Sequence, residues 1–151
     1  MKIIPSNINT FLFAKLPSAW ICGVRVKSIY DESCVVSVKH RWINQNPFKS
    51  MYFAVQCMAA ELSTGALVMK SIKESNLKIS MLVVNVSSEY YKKATGRIKF
   101  TCNGGQLVSE TIKSCIESKE GKVMVLSVDA KNEEGILVSK FEITWSVKAK
   151  A

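Results

Sequence analysis

Glu61 is the side chain with the clearest chemical potential. It lies inside the most apolar stretch of the chain, Met51 to Met69, where Leu or Ala would serve a core helix just as well. An ionised carboxylate is expensive to bury without partners. Such a residue is either a polar group paired at an interface or a working acid/base. Asn46 stands upstream at the mouth of the same helix, as a cap, as a contact to a reacting group, or as both. Ser50 reads as a hydrogen bonder of the first turn. Three helical turns separate it from Glu61, so the two could meet only between subunits. His40 is the single histidine, and no acidic or cysteine neighbour pattern around it suggests a triad; it reads as a strand-end residue. The five cysteines (22, 34, 57, 102 and 115) include no Cys-x-x-Cys pair. With one histidine they do not make a zinc site, and no metal is expected. Cys34, Cys57 and Cys102 read as small buried hydrophobes, a usage that suits a reducing cytoplasm.

The elements that must position these residues follow from periodicity. Asn9–Pro17 reads as a short helix within an N-terminal helical segment (1–20), capped near Asn9 or Ser6 and ended by Pro17. Ile21–Tyr30 and Cys34–His40 alternate like strands around the Asp31–Ser33 turn, which makes a hairpin. The loop Trp42–Pro47 leads into the apolar helix, with Asn46 as its cap and Pro47 in its first turn, running to about Lys73. Leu77–Ser88 and Thr95–Cys102 are expected to pair across a turn near Lys93–Gly96. Gln106–Ser118 fits a helix or a strand. Lys122–Lys131 and Gly135–Val147 form a hairpin around Asn132-Glu-Glu-Gly135, where glycine permits positive φ. A helix apolar on nearly all sides must be enclosed, and a curved antiparallel sheet is the simplest wrapping. The reading is one α+β domain over residues 1–151.

Composition narrows the partners. The 151 residues carry 21 Lys or Arg against 12 Asp or Glu, a formal charge of +9. That balance attracts nucleic acid, a membrane surface or a phosphate-bearing molecule such as coenzyme A. Basic residues are scattered with no run longer than Lys92-Lys93, so a solvated basic surface is an equally simple reading. Charge alone supports a nucleic-acid binder, without any aromatic-basic motif, and that class ranks last. Pro5, Asn7 and Asn9 interrupt any signal-peptide core. Gln56, Glu61, Ser63 and Thr64 argue against membrane insertion of the apolar helix.

The segment Asn46-Pro-Phe-Lys-Ser50-Met-Tyr-Phe-Ala-Val-Gln-Cys-Met-Ala-Ala-Glu61-Leu-Ser-Thr-Gly65 resembles the central-helix motif of hotdog-fold acyl-CoA thioesterases, in a branch near the phenylacetyl-CoA thioesterases. Ser88-Glu-Tyr90-Tyr-Lys-Lys-Ala94-Thr-Gly96 is similar to a strand-ending signature of that family. The resemblance implies a hotdog fold, a long central helix wrapped by a curved antiparallel β-sheet. It implies an acyl-CoA or acyl-carrier-protein substrate, with no cofactor beyond the coenzyme A thioester itself. It also implies a homodimer, or a homotetramer, with active sites shared between subunits. Glu61 falls at the family's catalytic acidic position and Asn46 at that of an Asn orienting water or thioester. Phe53 falls where a glycine N–H polarises the thioester carbonyl. Ser50, Tyr52, Lys92, Lys93 and Arg97 are expected to contact substrate, the three basic residues through coenzyme A phosphates. The chain departs from the motif at Met51-Tyr52-Phe53, where His-Gly-Gly is common, and at Lys49, where the close branch has glycine. Those departures sustain an alternative, a protein that binds acyl thioesters without hydrolysing them.

Overall fold

The computed structural model describes residues 1–150. Pro5 has no N–H to lose at a helix start, and helix α1 (Pro5–Lys15) begins on it rather than at Asn9. Leu16, forced out of helical geometry by the following proline, separates α1 from a second short helix, α2 (Pro17–Ile21). The expected first strand is therefore shorter: β1 is Arg25–Ile29, paired with β2 (Cys34–Lys39) as a hairpin carrying a bulge between Val26 and Ser28.

The apolar stretch forms α3 (Phe53–Ser75), which starts six residues later than its Asn46-Pro47 signature suggests and ends on Asn76 in the left-handed conformation. After it come β3 (Ile79–Tyr90), β4 (Arg97–Cys102), α4 (Gly105–Ser118), β5 (Lys122–Lys131) and β6 (Leu137–Ala149). The ambiguous 106–118 segment is a helix. Its entry requires glycine, because a Cβ at Gly105 would stand 1.9 Å from the Asp31 carbonyl oxygen.

All six strands join one antiparallel sheet in the order β1-β2-β4-β5-β6-β3. The expected pairing of the third and fourth strands does not occur: β3 pairs only with β6, and β4 lies between β2 and β5. Gly96 has positive φ like a hairpin glycine. The residues before it, however, carry the chain from the sheet edge back to its middle. On the way the Val138 carbonyl accepts from the N–H groups of Tyr91 and Lys92, the Ala94 carbonyl from Met51, and the Gly96 carbonyl from His40. These tertiary bonds satisfy backbone groups that a hairpin ladder would otherwise take.

Helix α3 lies across the concave face. Its Ala59, Ala60, Gly65 and Ala66 bring the backbone close to the sheet, while Val55, Leu62, Leu67 and Val68 fill the gaps. Val36, Val38, Ile98, Phe100, Leu126, Phe141 and Ile143 complete the core. The hairpin β5–β6 turns where expected, with Gly135 at φ 78°. Strand β3 is left as an unpaired edge, and Leu82, Val84 and Val86 on it are 66%, 51% and 39% exposed. Such an apolar edge is a template for another strand.

Candidate functional site

The residues singled out for chemistry fall at two places on α3, and a single chain keeps them apart. The first is the helix start. Asn46 does not cap α3; it organises the turn before it. Its Oδ1 accepts from the N–H groups of Phe48 (2.9 Å) and Ser50 (3.2 Å), and its Nδ2 donates to Ser50 Oγ (2.9 Å). An Asx-type turn of this kind competes with capping for the same side-chain oxygen. Ser50 is thus Asn46's partner ahead of the helix rather than part of its first turn. Lys49 sits within this turn at φ 59°, the left-handed region that favours glycine. Asn44 anchors the loop from below: its Oδ1 accepts from Arg41 N–H, and its Nδ2 donates to the carbonyls of Cys22 and Lys39.

Tyr52 precedes the helix without a side-chain cap, and its carbonyl accepts from Val55 and Gln56. The N–H groups of Phe53 and Ala54 have no acceptor among the described residues. Unpaired first-turn donors at the positive end of a helix suit a developing oxyanion. Phe53 lines a cavity of about 500 Å³ beside this helix start, together with Asn46, Ser50, Tyr52, Lys92 and Lys93. Lys93 Nζ donates to the Phe48 carbonyl across its rim (3.2 Å). Phe53 meets Tyr52 and Tyr90 edge-on, and Tyr90 meets Phe141, so an aromatic row ties the helix start to β3 and the core.

Arg97 stands apart from that cavity. Its guanidinium donates to Ser37 Oγ on the neighbouring part of the sheet, and its N–H to Glu133. The reason is topological: the chain has already left the cavity at Ala94 when β4 begins. Gln56 is the residue that the motif does not single out. It is 4% exposed, lines the cavity, accepts from Ser139 Oγ (2.7 Å) and donates to the Met51 carbonyl (3.4 Å). A buried amide in an apolar helix was the available signal, the same argument that singles out Glu61.

Glu61 is the second place. It lies two turns beyond Phe53, roughly 12 Å along the axis. With Ala54, Cys57 and Met58 it forms the one half-exposed stripe of an otherwise buried helix segment. Cys57 is therefore not the buried hydrophobe expected of it. No partner among the described residues holds the Glu61 carboxylate, and burial pushes its pKa up. Its side chain borders a separate small cavity under α1, together with Gly65 and Trp145. His40, directly after β2, has a buried Nε2 without a partner among the described residues and belongs to neither place. No group of metal-binding side chains occurs among the described residues.

The fold recurs in solved structures. A protein of unknown function from Pseudomonas aeruginosa, described as a probable thioesterase, superposes with a TM-score of 0.81 at 17% identity over 97% of both chains. A protein of unknown function from Chlorobaculum tepidum gives 0.82 at 16% identity over 98% of both. A thioesterase from Haemophilus influenzae gives 0.73 at 13% identity, covering 99% of this chain and 93% of its own. No curated protein matches the sequence. These likenesses identify the architecture as the hotdog fold. A domain family, "Domain of unknown function (DUF4442)", matches residues 6–147, and the chain belongs to that family.

Proposed function

We propose that the protein hydrolyses acyl thioesters of coenzyme A or an acyl-carrier protein as a homodimer, with Glu61 as general base. The observation that carries this reading is a half-buried carboxylate, without a partner among the described residues, on the part-exposed stripe of the buried middle of α3. A second copy pairing along β3 would cover that stripe and the exposed edge together. It would also set Glu61 of one subunit against the free N–H groups of Phe53 and Ala54 of the other.

In this reaction Glu61 takes a proton from water as the water oxygen bonds to the carbonyl carbon. The oxyanion is held by the helix-start amides. The C–S bond then breaks, and the proton passes to the leaving thiolate. Asn46 holds the turn that presents those amides. Lys92 and Lys93 on the cavity rim attract the phosphates of coenzyme A. Tyr52 and Ser50 line the same cavity. Free thiols at all five cysteines suit action in a reducing cytoplasm. Among the described residues, no helix is long and apolar enough to cross a membrane.

A binding role without turnover is the second reading, favoured by the Tyr52–Phe53 pair where two glycines would leave the amide bare. Acyl-CoA hydrolysis by wild type and Glu61→Gln separates the two. The thioesterase reading expects a loss of roughly 10²-fold or more in kcat with thioester binding retained. Wild-type binding without any turnover would leave the binding role standing instead.

A further inference from the structure

We propose that the small cavity roofed by α1 receives the acyl group of the thioester and restricts it to short apolar chains. This inference rests on the thioesterase reading of Glu61 and adds the substrate class. Ile8 and Phe11 of α1, Leu62, Gly65 and Met69 of α3, and Trp145 of β6 form its walls. Glu61 is the one charged side chain among the described residues that line it.

The base and the acyl tail are bound to be neighbours in hydrolysis. Water activated by Glu61 must bond to the carbonyl carbon, and the tail leaves that carbon on the side away from sulfur. An apolar hollow that begins at the carboxylate is where such a tail finds burial. Its volume of about 60 Å³ sets the length. On the space a water-sized group occupies, that is room for roughly two to four carbons.

Gly65 leaves space beside the carboxylate. A Cβ there would stand 3.1 Å from Trp145 Cζ2 and 3.5 Å from Glu61 Oε1, in the gap between ring and carboxylate. The opposite wall is held in place. Trp145 Nε1–H donates to Thr64 Oγ1 (2.8 Å), and Thr64 Oγ1 donates to the Glu61 carbonyl (2.8 Å). This bond chain ties the indole to the helix turn that carries the base. Met69 and Met81 at the lining are the deformable part, as unbranched thioethers are.

Two measurements on the full chain test this. The first is kcat/KM for acetyl-, butyryl-, octanoyl- and lauroyl-CoA with wild type, Gly65→Ala and Phe11→Ala. Wild type should prefer the two short substrates over octanoyl-CoA by at least about tenfold, the scale of a methylene that does not fit. Gly65→Ala should lose butyryl-CoA turnover more than acetyl-CoA turnover, and Phe11→Ala should move the optimum to longer chains. The second measurement is the Trp145 indole N–H resonance of wild type titrated with non-hydrolysable ethyl-, butyl- and octyl-CoA thioethers. It should move with butyl-CoA and respond less to octyl-CoA, whether or not the variants fold. Wild-type preference for lauroyl-CoA, or an unmoved Trp145 signal at saturating butyl-CoA, overturns the acyl pocket and leaves the thioesterase reading intact. Neither hydrolysis nor binding of any probe sinks both. Binding of butyl-CoA at Trp145 without hydrolysis upholds the pocket and removes only the catalytic reading.

Discussion

The half-buried carboxylate of Glu61 carries opposite consequences for activity and stability. Its folded-state pKa is raised by burial, so the folded chain binds more protons than the unfolded chain between the ordinary carboxylate value and the raised one. Stability therefore falls as pH rises through that window, and the full penalty is present above it. Glu61→Gln should unfold at higher urea than wild type at neutral pH and show no such gain at acid pH, while losing hydrolysis. In wild type, kcat/KM should fall as pH is lowered through the raised pKa, because only the ionised form accepts the proton. A Glu61→Gln variant less stable than wild type at neutral pH would show that the carboxylate has a stabilising partner. Lys49 offers a second residue-scale test. At φ 59° it holds a conformation that costs a side chain about 1 kcal/mol, so Lys49→Gly should raise or preserve stability whereas Asn46→Ala should lower it. Urea midpoints decide between these. The conflict between Glu61 and its apolar neighbours is legible in the sequence because burying charge costs free energy wherever it happens. The left-handed turn at Lys49 is not legible from lysine, a poor marker of positive φ; its one signal is the glycine that the resembling branch has there.

Among the elements, α3 is the one that sequence describes best, and its first residue is the one it describes worst. Asn46-Pro47 has the chemistry of a cap followed by a first-turn proline, yet the same asparagine oxygen can close an Asx turn. The structure uses it that way, since the chain first has to meet Ala94 through Met51 before the helix begins. The interior of α3 depends on hydrogen bonds that its composition only hints at. Trp145 Nε1–H has its acceptor in Thr64, 81 residues away in sequence. Thr64→Val would keep the shape and strand that donor in the core, at a cost of about 1–3 kcal/mol. Thr64→Ser, which keeps the acceptor, should recover most of it. Equal stability of the Val and Ser variants in chemical denaturation would show that water satisfies the indole instead. The segment 106–118 is ambiguous in sequence because Thr and Ile suit both states. Gly105 against the Asp31 carbonyl and the burial of Val108, Ile112 and Cys115 on one face resolve it as a helix.

At the scale of the whole molecule, the unpaired β3 edge and the part-exposed stripe of α3 make one prediction together. If a second copy pairs along β3, Val84→Lys puts a charge on the exposed edge of each copy and should shift the protein from dimer to monomer. Sedimentation velocity reads the mass, and hydrolysis should fall in step with the dimer fraction. A wild type that is monomeric at assay concentration and fully active would defeat the shared-site reading. The expected β3–β4 hairpin fails for a reason of the same scale. Lys93–Gly96 has hairpin composition, but Tyr91, Lys92 and Ala94 bond to Val138 and Met51, so the chain crosses the sheet end instead of turning back. What the sequence determined by itself was local and compositional: the apolar helix, the strand periods, the turn at Gly135 and the misfit of Glu61. These follow from nearest neighbours and from the cost of burying charge. Only the tertiary structure decided strand order, the assembly of Asn46, Ser50, Phe53, Lys92 and Lys93 around one cavity, the exclusion of Arg97, and the distance from that cavity to Glu61. Each of those depends on contacts between distant segments, and the pattern of one segment does not specify which other segment satisfies it.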